Sequence, residues 1–126
     1  PYRPTRYFSI GELMGIVTAI LLYVVGHIAA WFQYNLQFVN EWWQDKPLLA
    51  VCLFSVPMSY SFWYATKIFV AHTGYLWTGR LMGFGVGIVV FSFLTMLIMK
   101  ESIFNVKTLS CLFLAILIVL IQVFYE

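Results

Sequence analysis

Tyr60, Trp63, Tyr64 and Lys67 fall at i, i+3, i+4 and i+7, a spacing that on a helix gathers three polar-edged rings and one cation into a single stripe. Such a stripe is suited to binding. Aromatic faces hold organic cations, whereas a basic residue such as Lys67 or Arg80 holds an anion. His27, with Trp31 one turn further on, is the deepest titratable group in the first half of the chain. An imidazole that exchanges a proton near neutral pH can relay one across a barrier. Glu12 is the second candidate for that work. The residues thus expected to bind a substrate are His27, Trp31, Tyr60, Trp63, Tyr64 and Lys67, and those expected to couple a proton are His27 and Glu12. Each also has a plainer reading. Lys67 can snorkel its ammonium to an interface, Glu12 suits the positive end of a helix dipole, and His27 can be a hydrogen-bonded imidazole without further duty.

The elements that must position these groups follow from hydropathy. Apolar residues form 63% of the 126 positions and charged residues only 10%, far from the soluble average of roughly a quarter charged. Apolar runs at about residues 10–31, 48–70, 81–99 and 106–125 are each long enough to cross a bilayer. In lipid each must be helical, because its backbone donors and acceptors find partners only within the segment. The expected fold is therefore all-α, a polytopic membrane protein with four transmembrane helices in one bundle. Residues 32–43 carry Phe32, Leu36, Val39 and Trp43 at helical spacing, which predicts an arm that continues helix one or lies along the interface. Trp42, Trp43, Tyr75, Trp77 and Tyr125 fall near span ends, at the headgroup level that amphipathic rings prefer.

An even number of spans puts both ends on one side. Arg3, Arg6, Lys67 and Arg80 then face one compartment and Lys46, Lys100 and Lys107 the other, a small excess that points to cytoplasmic termini. The first apolar run is too long for a cleavable signal peptide.

Gly79, Gly83 and Gly87 recur every four residues, with Gly85 beside them, so the third helix presents a strip without side chains. Small residues at that spacing let helix backbones approach closely in lipid, either within the bundle or across a dimer seam. Cys52 and Cys111 lie inside predicted spans, where thiols act as small buried hydrophobes, and their placement gives neither a disulfide framework nor a metal spacing. Only His27, His72 and Glu12 could contribute to a metal site, so no metal and no cofactor is expected. No HExxH, nucleophile elbow or phosphate loop is present, and no catalytic residue is assigned. The net charge of +2 is scattered, without a basic run that would bind nucleic acid.

Three stretches carry a likeness to a known family: Asp45-Lys46-Pro47-Leu48 opening the second span, Gly85-Val86-Gly87-Ile88-Val89 leading through Ser92 in the third, and Met99-Lys100-Glu101 before the closing helix. In these and in its span order the chain resembles the drug/metabolite transporter superfamily in its four-helix form, similar to the DUF486 group and, more distantly, to the small multidrug resistance family. The resemblance implies a bundle that dimerises and exposes a central site alternately to each side. Where the small multidrug resistance family places a proton-carrying glutamate in helix one, this chain has Gly26, His27 and Ala29. Two functions fit. One is a small transporter, with or without proton coupling, in which two copies pack through helix three and helices one and two line the cavity. The other is an accessory subunit of a larger membrane complex, with membrane lipid and neighbouring proteins as its partners.

Overall fold

A computed structural model describes residues 10–124, apart from the side chain of Val123. Four helices follow one another: α1 (Ile10–Val39), α2 (Pro47–Thr73), α3 (Leu76–Leu94) and α4 (Val106–Phe124). Among the described residues there is no strand.

α1 contains 30 residues and is about 45 Å long, against a hydrocarbon thickness of about 30 Å. Its last turns therefore extend beyond the oil. The arm expected at residues 32–43 is thus mostly a continuation of the first helix, ending in a 3-10 turn, Glu41–Trp43. Asn40 makes that break: its backbone is extended, and its Oδ1 accepts from the Trp42 N–H at 2.9 Å. Lys46 Nζ donates to the Trp42 carbonyl at 2.8 Å and rests 4.0 Å above the centre of the Trp42 ring, after which Pro47 opens α2, where its missing N–H costs nothing.

Pro57 sits inside α2 without ending it. Gly74 does end it, at φ 83°, with its N–H bonded to the Val70 carbonyl at 2.7 Å. α3 begins at Leu76, five residues before the apolar run at residue 81, so Arg80 lies within the helix rather than ahead of it. Its far end widens into a π-helical turn, Thr95–Met99, closed by Lys100 in the left-handed region at φ 57°. Asn105 caps α4, its Oδ1 accepting from the Thr108 N–H at 2.9 Å.

α1 and α2 share the largest interface, α3 packs on α1 and less on α2, and α4 leans on α3. The tightest core is Ala19, Tyr23, Ala65 and Phe69. Ala19 and Ala65 are wholly buried, and their small side chains let α1 and α2 approach closely, the packing that replaces a hydrophobic drive in lipid. α4 traverses the same depth as α3 in reverse, since Gln122 Nε2 donates to Thr78 Oγ1 at 3.2 Å near the start of α3.

Leu21, Val25, Phe93, Leu97 and Ile121 all project outward, a surface that makes sense only with hydrocarbon as solvent. α1, α2 and the run Leu76–Met99 are long and apolar enough to cross a membrane. The 19 residues of α4 add about 28 Å of helix beside α3. The chain is an all-α integral membrane protein built as a four-helix bundle. Cys52 and Cys111, expected as buried thiols, are free and exposed on its outer face. Trp42, Tyr75 and Trp77 are exposed at helix ends, whereas Arg3, Arg6 and Tyr125 lie outside the described residues.

Candidate functional site

Tyr23, His27 and Trp31 recur every four residues, so their side chains rise along one face of α1. That face meets α3, which runs parallel to α1. Tyr23 Oη donates to the Gly79 carbonyl at 3.0 Å, and His27 Nε2 donates to the Gly83 carbonyl at 2.8 Å, with the same offset of 56 residues. Trp31 Nε1 donates to Thr95 Oγ1 at 3.0 Å, where the π-helical turn begins. Because a carbonyl can only accept, Nε2 of His27 carries the proton and Nδ1 is left as the free lone pair.

The glycines make these bonds possible. A Cβ on Gly83 would lie 3.0 Å from Tyr23 Cε1, and one on Gly87 would lie 2.6 Å from His27 Cε1. Each ring therefore occupies the volume a side chain would take. The strip formed by Gly79, Gly83 and Gly87 is thus a packing face within the chain, used by α1. Gly85, turned away from it, receives Val119 of α4.

Beside this ladder runs an open groove of about 620 Å³. α1 and α3 form its walls, with Phe62 and Thr66 of α2 at one side; helices one and two were expected to line the cavity, so α3 takes the larger share of what was assigned to α2. Tyr23, Thr66 and Arg80 lie toward one end and Trp31, Tyr34 and Asn35 toward the other, with Phe84, Ile88 and Phe91 following Arg80 along α3. Thr66 Oγ1 stands 3.5 Å from Tyr23 Oη, and the Phe62 ring packs on His27 with centroids 4.8 Å apart.

The sequence-predicted site residues are divided by this arrangement. His27 and Trp31 line the groove. Tyr60, Trp63 and Tyr64 are 66%, 60% and 46% exposed on the outer side of α2. Trp63 and Lys67 border a shallower depression with Ser59, Phe62 and Thr66, where Lys67 Nζ sits 5.2 Å from the centre of the Trp63 ring. Tyr60 and Tyr64 line neither cavity. Glu12 is fifteen residues from His27, about 22 Å along α1, and does not line the groove. Tyr23, Thr66 and Thr95 complete the polar ladder without having been singled out in the sequence. The signal for Tyr23 was present, since Tyr23, His27 and Trp31 repeat the period of Gly79, Gly83 and Gly87.

Among the described residues, no three His, Cys, Asp or Glu side chains come together as a metal site would require. Comparison with known proteins gives no matching family model, no matching curated protein and no matching solved structure.

Proposed function

We propose that the chain is a small membrane transporter whose solute path is the groove between α1 and α3. The observation that carries this reading is a groove of about 620 Å³ bearing an imidazole, a guanidinium and hydroxyls, inside a bundle that exposes large apolar side chains on all four helices. Polar groups at membrane depth are expensive and tend to line pathways. His27 is the group suited to coupling a proton: Nε2 is fixed on the Gly83 carbonyl, and Nδ1 is the position that takes up and releases one. Glu12, at the far end of α1, would act at most at the mouth.

The test is flux in liposomes holding only this protein and a pH-sensitive dye, under an imposed solute gradient. His27→Gln keeps an N–H for the Gly83 carbonyl but cannot titrate. It should retain solute binding and lose solute-driven proton movement. A His27→Gln protein that still moves protons with its solute would remove the coupling role, and a wild-type protein that moves no solute from a broad panel would remove the transporter reading.

One observation favours a second reading, an accessory subunit of a larger membrane complex. Tyr60 is at the middle of α2, two-thirds exposed, so its hydroxyl meets hydrocarbon unless a neighbour covers it. With the glycine strip of α3 occupied by α1, on this reading the polar-tipped face of α2 meets a second copy or another subunit. Purification in a mild detergent decides this: a fixed set of larger membrane proteins accompanying the chain supports the subunit, and a stable isolated chain or dimer supports the transporter.

A further inference from the structure

We propose that the α1–α3 groove binds an amphipathic anion, its carboxylate or phosphate held at Arg80 and its apolar body lying along Phe84, Ile88 and Phe91. The proposal rests on this groove being the working site. The sequence offers both an aromatic stripe for a cation and basic residues for an anion, and the fold separates the two. Tyr60 and Tyr64 turn outward, while Arg80 lines the groove. Among the described residues no Asp or Glu lines it, and the guanidinium is the one fixed charge on its walls. The nearest addition is Lys67 in the adjoining depression, which shares Phe62 and Thr66 with the groove and is also positive. A site so charged repels an organic cation and attracts an anion.

The remaining walls describe the rest of the ligand. At the Arg80 end, the Tyr23 hydrogen is committed to the Gly79 carbonyl. Thr66 then points its own hydrogen at Tyr23 Oη over a long 3.5 Å, a weak contact from which the hydroxyl can turn to an oxyanion. Arg80 is the fifth residue of α3, about 6 Å in from its start, a depth at which a guanidinium still meets the headgroup layer. From Arg80 to Phe91 the helix advances about 16 Å, and over that length α3 presents Phe84, Ile88 and Phe91 to the groove. The ligand is therefore charged at one end and apolar along its length. Two sources supply that chemistry, an anionic membrane lipid and a free amphiphilic solute.

The test is binding, measured without transport. A variant with Trp42, Trp43, Trp63 and Trp77 changed to Phe leaves Trp31 of the groove as the reporter. It is placed in phosphatidylcholine nanodiscs and titrated with dodecanoate brominated near its methyl end. Saturable quenching of Trp31 is expected, reversed by dodecyl phosphate but not by dodecyltrimethylammonium of equal length. Arg80→Gln should raise the apparent Kd about ten- to a hundredfold, as expected for a lost charge-assisted contact, and Arg80→Lys should recover most of it; circular dichroism and gel filtration check that both variants fold. Competition by phosphatidylglycerol as strong as by dodecyl phosphate identifies the lipid as the occupant, and failure of phosphatidylglycerol to compete identifies the free solute. Quenching that does not saturate, that is unchanged in Arg80→Gln, or that yields equally to the cation overturns the proposal. Anion binding without solute flux would sink the transporter reading and leave the site. Flux unaffected by Arg80→Gln, with no anion bound, would do the reverse.

Discussion

Gly79→Ala and Gly87→Ala are the same substitution one repeat apart, yet the structure assigns them opposite outcomes. A Cβ at position 79 meets nothing closer than 3.5 Å, an ordinary contact with Tyr23 Oη and Val70. The helix itself gains up to about 1 kcal/mol when Ala replaces Gly, so Gly79→Ala should be neutral or slightly stabilising. A Cβ at position 87 lies 2.6 Å from His27 Cε1 and 2.9 Å from both ring nitrogens. The imidazole has little room to retreat, being bonded to the Gly83 carbonyl at 2.8 Å and packed on Phe62. Displacing it forfeits a half-buried interhelical hydrogen bond worth about 1–2 kcal/mol and adds about 1–3 kcal/mol of crowding. After the helix gain is subtracted, Gly87→Ala should cost about 1–4 kcal/mol, with a middle value that corresponds to about a hundredfold in the unfolding constant relative to Gly79→Ala. Reversible unfolding by SDS in mixed micelles, followed by far-ultraviolet circular dichroism, measures both. In a His27→Ala background the space is already open, and the Gly87→Ala penalty should fall below about 0.5 kcal/mol. Equal costs at the two glycines, or a penalty that survives removal of the imidazole, would refute the ring-over-glycine packing of α1 on α3.

The other predictions use the same unfolding assay. Trp31→Phe and Thr95→Val each break the 3.0 Å bond between α1 and the π-helical turn, and each should cost about 1 kcal/mol, with the double variant costing little more than either single one. The Oε1 of Gln33 is buried without a hydrogen-bond partner, so Gln33→Met, of similar length and without the stranded acceptor, should stabilise the chain by about 1 kcal/mol.

The likeness to four-helix transporters, carried by Asp45-Lys46-Pro47-Leu48, Gly85-Val86-Gly87-Ile88-Val89 and Met99-Lys100-Glu101, bears on function only as far as the groove supports it. In the small multidrug resistance family, to which the sequence reading likens the chain, the proton carrier of helix one is an acid. Here the same neighbourhood contributes an imidazole already tied to α3 by Nε2, so any proton coupling runs through Nδ1 alone. The groove charge is likewise of opposite sign to a site for lipophilic cations.

Local chemistry was enough to specify that these helices form and roughly where, though α1 runs on to Val39 and α3 starts at Leu76 rather than at residue 81. Continuous apolar runs in a solvent that cannot satisfy the backbone allow only helices, Asn40, Pro47 and Gly74 mark their boundaries by capping and φ preference, and a four-residue glycine period marks a close contact. Which helix uses that contact was not legible, because a stripe of small residues is equally complementary to a partner chain and to a neighbouring helix. Only the tertiary structure pairs Gly79, Gly83 and Gly87 with Tyr23 and His27, and only the rotation of α2 turns Tyr60 and Tyr64 outward while Arg80 enters the groove. Spacing along one helix determines which side chains share a face. It carries no information on what that face meets, since that is decided by packing across four helices at once.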